Sequence, residues 1–221
     1  MNNSSIKQYA KSLLVLPGLC LGLMAPLVCQ AQAELNPDQV YLFKGEPVGG
    51  RVISLGDPSN WYTVVENRAG KSAGSKISVA PTDFKASGDA IQLTWNPRKK
   101  VDGTLTIGGS PVDLSALKDV AALAIDMRVD VKPDKDIIVR LSCGYPCQAD
   151  VSIRKMISQM PKNEWFSLPI PLNCFKGKDF DISKISSPFV ITSNGKATIS
   201  ITNIRLEKLA EGDNGCAEEK K

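Results

Sequence analysis

Residues 90–95 read Ala90-Ile91-Gln92-Leu93-Thr94-Trp95. Apolar and polar side chains alternate. In an extended strand that places Ile91, Leu93 and Trp95 on one face and Gln92 and Thr94 on the other. The same period returns along the chain. Over 122–129, Leu123, Ile125, Met127 and Val129 share a face, with Ala124, Asp126 and Arg128 opposite. Over 137–142, Ile137, Val139 and Leu141 alternate with Arg140 and Ser142. Over 165–172, Phe166, Leu168, Ile170 and Leu172 face one way, and Trp165 and Ser167 the other. Pro169 and Pro171 mark that strand as an edge or a locally irregular one, because proline cannot donate to a ladder. Further strands are predicted over 61–65, 76–79, 103–107, 189–192 and 197–206, punctuated by Gly108-Gly109 and Ser193-Asn194-Gly195. Helix is confined to a turn near 113–115 and a short segment at 154–160. Eight or nine short strands with little helix predict an all-β chain folded as a β-sandwich, and a jelly roll fits the strand count.

The start of the chain reads differently. Lys7 and Lys11 precede an apolar run from Leu13 to Val28, and Ala31-Gln32-Ala33 supplies small residues where a signal peptidase cuts. Residues 1–33 are therefore read as a secretory signal peptide cleaved after Ala33, giving a secreted or periplasmic protein. The run holds Pro17, Gly18, Gly22 and Pro26 and falls short of the roughly 20 residues of a spanning helix, so no membrane span is expected in the mature chain. Residues 34–54, with Pro37, Gly45, Pro47, Gly49 and Gly50, read as an N-terminal extended segment. The sandwich is expected over 55–207, followed by a charged tail, 208–221, that carries Cys216.

Secretion sets the meaning of the cysteines. Cys143, Cys147, Cys174 and Cys216 remain after the leader, and an even count in an oxidising compartment reads as two disulfides. Three pairings can be drawn. The preferred one closes Cys143–Cys147 around Gly144-Tyr145-Pro146 and pins the tail through Cys174–Cys216. Four thiolates could instead hold zinc, but the spacing lacks the two CxxC pairs of such sites.

Composition removes whole classes of chemistry. The formal charge of +4 falls to about +2 without the leader, with no clustered basic excess of the kind that nucleic-acid binders show. The chain has no His, so a Ser–His–Asp or Cys–His centre cannot be built. No nucleophile elbow, Walker loop or dinucleotide fingerprint appears. A glycosidase needs only two carboxylates, and Asp126 and Asp89 are the acids to weigh for that role. Each also has a plain structural reading: Asp126 can pair with Arg128 or Arg140, and Asp89 can cap a turn after Gly88.

What remains is the polar face of the strands. Gln92, Thr94, Asp126, Arg128, Arg140 and Ser142 all point away from the core. If their strands are neighbours, they form a shallow field of planar hydrogen-bonding groups suited to sugar hydroxyls. Trp61, Tyr62, Tyr145 and Trp165 are candidate aromatic planes for a sugar ring. The candidate ligand-binding set is thus Gln92, Thr94, Asp126, Arg128, Arg140 and Trp165. The bland alternative is a solvated face laced by salt bridges. Trp95 shares the face of Ile91 and Leu93 and belongs to the core.

Several stretches carry a family likeness. Gly88-Asp89-Ala90, Leu93-Thr94-Trp95 and Asp113-Leu114-Ser115 are followed by Leu141-Ser142-Cys143-Gly144-Tyr145-Pro146-Cys147. Then come Trp165 to Leu172, Cys174-Phe175, Ser187-Pro188-Phe189, Ile201 to Leu206 and the late Cys216. In order and spacing they resemble the ExoP-type galactose-binding-like domain, found at the C-terminus of bacterial family 3 glycoside hydrolases, over roughly residues 50 to 216. The resemblance implies a galactose-binding-like β-sandwich and a carbohydrate-binding or substrate-shaping accessory role. No hydrolase activity carries over, because the catalytic barrel's motifs have no match here. Ser87 stands where the family usually has Gln.

Three functions follow in order of expectation. The first is a non-catalytic carbohydrate-binding domain for β-glucan-like glycans. The second is a docking domain for an envelope protein such as a glycosidase. The third is a small glycoside-active enzyme. No cofactor is expected; a structural calcium ion could draw on Asp83 and Asp89, but nothing in their spacing resembles a dedicated calcium loop.

Overall fold

The computed structural model describes residue 36 and residues 38–97 and 100–216. The leader, its cleavage point after Ala33 and the last five residues lie outside them. The described strands, in chain order, are β1 (Val40–Phe43), β2 (Glu46–Pro47), β3 (Val52–Asp57), β4 (Asn60–Val64), β5 (Gly70–Lys71), β6 (Ile77–Thr82) and β7 (Ala90–Trp95). They continue with β8 (Gly103–Gly108), β9 (Ala121–Val131), β10 (Ile138–Gly144), β11 (Cys147–Ser152), β12 (Trp165–Pro171), β13 (Ser187–Ser193) and β14 (Ala197–Lys208). A short helix, α1 (Arg154–Gln159), links β11 to β12.

The strands form two antiparallel sheets. The first runs β12-β9-β14-β7-β6-β5, with β1 and β2 joined to it through β14. The second runs β11-β10-β13-β8-β3-β4. The sequence alternation decides which side of each sheet meets the other. Ile91, Leu93, Leu123, Ile125, Met127, Val129, Ile199 and Ile201 from the first sheet are fully buried, as are Leu55, Leu105, Ile107, Val139, Leu141, Phe189 and Ile191 from the second. This is the expected β-sandwich. Pro169 and Pro171 lie on β12, the edge strand of the first sheet, where a missing N–H interrupts no inner ladder.

Strand β14 contains an irregularity that the plain alternation hides. Its register against β9 shifts between Ile201 and Asn203. Thr202 is the extra residue, and its hydroxyl donates to the carbonyl of Asp89 at 2.6 Å. A bulge re-phases the strand, so Ile199 and Ile201 point inward before it and Ile204 points inward after it, all fully buried.

At one end of the sandwich a charged residue sits inside. Lys76 is fully buried, and its ammonium donates to the carbonyls of Asn96, Asn194 and Gly195 at 2.8, 2.9 and 3.2 Å. It thereby joins the end of β7 to the β13–β14 turn. Gly103 allows this packing, since a Cβ there would lie 2.7 Å from Cγ of Lys76. Trp95 fills the adjacent space and donates its indole N–H to the Gly103 carbonyl at 2.7 Å.

Both disulfides take the preferred pairing, Cys143–Cys147 and Cys174–Cys216. The second docks the tail, helped by buried Asn173. Its amide donates to the carbonyl of Asn214 at 3.0 Å and accepts from the N–H of Cys216 at 2.9 Å.

Replacing Trp95 by alanine removes the indole and leaves the Gly103 carbonyl without that donor. Urea unfolding of Trp95→Ala should show a loss of about 3–5 kcal/mol.

Candidate functional site

The six residues singled out by alternation do not lie on one surface. Gln92 and Thr94 on β7, Asp126 and Arg128 on β9 and Trp165 on β12 share the outer face of the first sheet. Arg140, with Ser142, is on β10 and belongs to the outer face of the second sheet. Alternation tells which side of a strand is wet. It does not tell which sheet the strand joins, and the chain changes sheets between β9 and β10.

On the first face the polar groups are committed to one another. The Arg128 guanidinium donates to Asp130 at 2.6 Å and to the Ser200 hydroxyl at 3.3 Å. Asp130 also accepts from the Gln92 amide at 3.1 Å and the Ser200 hydroxyl at 2.6 Å. Arg128 lies over the Trp165 ring, 5.0 Å from its centre, and Phe84 meets that ring edge-on at 4.8 Å. Asp126 takes neither arginine first expected for it. It accepts from Asn203 at 2.8 Å and from Arg205 at 2.7 Å. Burial alone would push its carboxyl up, but these donors outweigh it and hold the pKa below the usual carboxylate range. Thr94 is exposed beside a small hollow that also takes in Lys71 and Lys196. Alternation missed Asp130, the acceptor that organises this network, although it continues the outward series Asp126, Arg128.

The acids weighed for catalysis or calcium are equally committed. The Asp89 carboxylate accepts backbone N–H groups of Phe84, Lys85 and Ala86 at 2.6, 3.0 and 2.9 Å, which is the capping role. Asp83 accepts from the N–H of Gly88 at 2.6 Å. Among the described residues no cluster of three acids or cysteines could hold a metal.

The second sheet presents a different surface, an open groove of about 950 Å³. Its floor is made of small groups on the central strands: Ser54 on β3, Thr104, Thr106 and Gly108 on β8, and Ser187 and Val190 on β13. Large side chains stand at the margins. Trp61 and Tyr62, on edge strand β4, are 59% and 62% exposed. Across the sheet, beyond Arg140 and Ser142, Gln148 on β11 and Tyr145 in the β10–β11 turn close the other side. Arg140 is held by its cross-strand partner Asp150 through two bonds of 2.6 and 2.8 Å, a bidentate pair that fixes the guanidinium and cancels its charge. A neighbouring hollow of about 390 Å³ shares Trp61, Thr104 and Arg140 and adds Asp102, Lys135, Asp136 and Arg154. Three of the four aromatic planes named from the sequence thus meet on this groove, and the fourth, Trp165, does not. The floor residues were missed, although Gly103-Thr104-Leu105-Thr106-Ile107-Gly108 alternates as clearly as any strand.

The family model of the Exop_C galactose-binding domain-like domain matches residues 53–206. The chain belongs to the Exop_C family. Among solved structures, the Exop_C chain is similar to the extra C-terminal domain of the exo-1,3/1,4-β-glucanase ExoP from a Pseudoalteromonas species. The identity is 18% and the TM-score 0.65, over 81% of this chain and 99% of that one. Against the ExoP glucanase structure itself the identity is 17% and the TM-score 0.64, over 80% of this chain and 21% of that one, so the chain spans about a fifth of that enzyme. A family 30 carbohydrate-binding module from a cellulosomal cellulase of Clostridium thermocellum matches with 15% identity and a TM-score of 0.52, over 78% of this chain and 97% of that one. At these identities the solved structures establish the shared sandwich. No curated protein matches the chain.

The acid side of the stability curve follows from the committed carboxylates. For Asp57, Asp89 and Asp126, burial raises the pKa, but hydrogen bonds overcome it and leave each native value below the ordinary one. Each therefore contributes stability above the unfolded carboxylate pKa, near 4, and loses it as the pH falls. The urea midpoint should stay level above about pH 5 and drop steadily between about pH 4 and pH 2. Asp126→Asn should flatten part of that drop.

Proposed function

We propose that the chain is a non-catalytic carbohydrate-binding domain that acts outside the cytoplasm and takes a neutral, β-glucan-like glycan in the groove of the second sheet. The observation that carries this reading is the groove itself: a broad trough floored by short side chains, among them Ser54, Thr104, Thr106 and Ser187, and bordered by an exposed indole. Sugars offer hydroxyls to polar floors and C–H faces to aromatic planes, and an exposed tryptophan beside such a floor is otherwise an unrewarded apolar surface. Charge supports neutrality. Among the described residues that line the groove, the cation Arg140 is already paired with Asp150. Family membership and the carbohydrate-binding modules among the similar structures support the ligand class, and the two disulfides with the apolar leader support export. The network around Arg128 and Trp165 is then a stabilising device of the other sheet.

Affinity electrophoresis of the purified chain, disulfides intact, through gels containing mixed-linkage β-glucan tests the assignment. The parent should be retarded. Trp61→Ala and Arg140→Ala should each weaken binding about tenfold, the loss of one good contact. Trp165→Ala and Arg128→Ala should bind like the parent while unfolding at lower urea. A folded parent that passes freely through a panel of neutral glycans would overturn the reading, and losses confined to the Trp165 and Arg128 variants would move the site to the first sheet.

A further inference from the structure

Tyr145 is the most exposed large hydrophobic side chain among the described residues, at 92%. Among those residues no hydrogen bond or ring contact holds its phenol. It sits at the groove margin opposite Trp61, in a five-residue ring closed by Cys143–Cys147. The β10–β11 hairpin is already registered from Ile138 opposite Ser152 to Ser142 opposite Gln148. Such a short loop also gains less from a cross-link than the 42-residue separation bridged by Cys174–Cys216. What the small ring does is fix the three residues it encloses. Gly144 turns the chain at a φ of +99°, and Pro146 follows with its restricted φ. Cys143 packs against the core, and the Cys147 sulfur accepts the N–H of Asp181 at 3.4 Å. An aromatic side chain on a rigid support with nothing of its own protein to touch is a pre-organised contact surface. Tyrosine suits that role because it offers a large amphipathic face with few torsions to freeze.

We infer that Tyr145, positioned by the Cys143–Cys147 ring, is the aromatic plane of the groove margin opposite Trp61 and Tyr62, and that the ligand is a glycan chain long enough to touch Trp61 and Tyr145 at once. This deepens the carbohydrate reading above and rests on it. Strands β4 and β10 are four places apart in the sheet, a span of roughly 19 Å at about 4.8 Å per strand. A disaccharide reaches one margin only, while a chain of four or more linked hexoses reaches both. Affinity should therefore rise with chain length until Tyr145 is engaged.

Titration calorimetry of the full chain with β-glucan oligosaccharides, from di- to hexasaccharide, tests this. In the parent, binding should tighten about tenfold or more beyond the disaccharide. In Tyr145→Ala that gain should vanish while disaccharide binding stays unchanged. The double variant Cys143→Ser/Cys147→Ser should lose the same gain, and adding Tyr145→Ala to it should cost nothing further, because both remove one contact. Tyr145→Ala keeps the ring, so it decides the contact even if the cysteine variant does not fold. A Tyr145→Ala protein with the parent's length dependence would overturn the proposal. So would a cysteine variant that binds as the parent while Tyr145→Ala does not, which would leave the ring no positioning role. If Trp61→Ala weakens binding and Tyr145→Ala does not, only this inference falls. If the folded parent binds no glycan, the carbohydrate reading falls and takes the inference with it.

Discussion

The register of β14 is the constraint on which the first sheet depends. This twelve-residue strand pairs with β9 along most of its length, with β7 through its first half and with β1 near its end. A regular strand of that length would turn its second half of apolar residues away from the core. The bulge at Thr202 prevents this, and the Thr202 hydroxyl binds the carbonyl of Asp89, whose own side chain caps the preceding turn. One inserted residue thus couples the packing of Ile199, Ile201 and Ile204 to the start of β7.

With both inner faces closed against each other, the two outer faces are free to differ, and they do. The first gathers long charged and amide side chains whose donors and acceptors answer one another, with Trp165 sandwiched into the network. Such a surface is finished chemically: a ligand would have to displace bonds already made. The second keeps its centre small and its margins aromatic. Thr104, Thr106 and Gly108 on β8 and Ser187 on β13 lie half-buried along a trough, with Ser54 of β3 buried in its floor. The two faces illustrate how an outward polar residue can serve either the protein's own cohesion or recognition, depending on whether its neighbours satisfy it.

Much of the sandwich was legible in the sequence because period-two alternation maps directly onto burial. Strand β7 spans the residues its pattern predicted, Trp95 lies in the core, and the cysteines pair as spacing suggested. Strand β11 escaped notice because Gln148-Ala149-Asp150-Val151 offers only small or modest inward residues, Ala149 and Val151, which lie opposite Leu141 and Val139 of β10. The candidate site was legible only in part. Exposed Trp61, Tyr62 and Tyr145 could be named from type alone, but placing Arg140 with them and apart from Arg128 required strand order. That order is set by long-range pairing, β10 with β13 and β9 with β14, about which a strand's own alternation says nothing.

The buried ammonium of Lys76 has a use beyond architecture. Its nitrogen is wrapped by three carbonyls from two separate segments, so water-borne amine reagents reach it only when the end of the sandwich comes apart. Lysines such as Lys44, Lys85 and Lys184 stand in solvent throughout. The labelling rate of this single amine, set against those of its exposed counterparts, is therefore a native clock for the opening of the fold, built into the chain without any added probe.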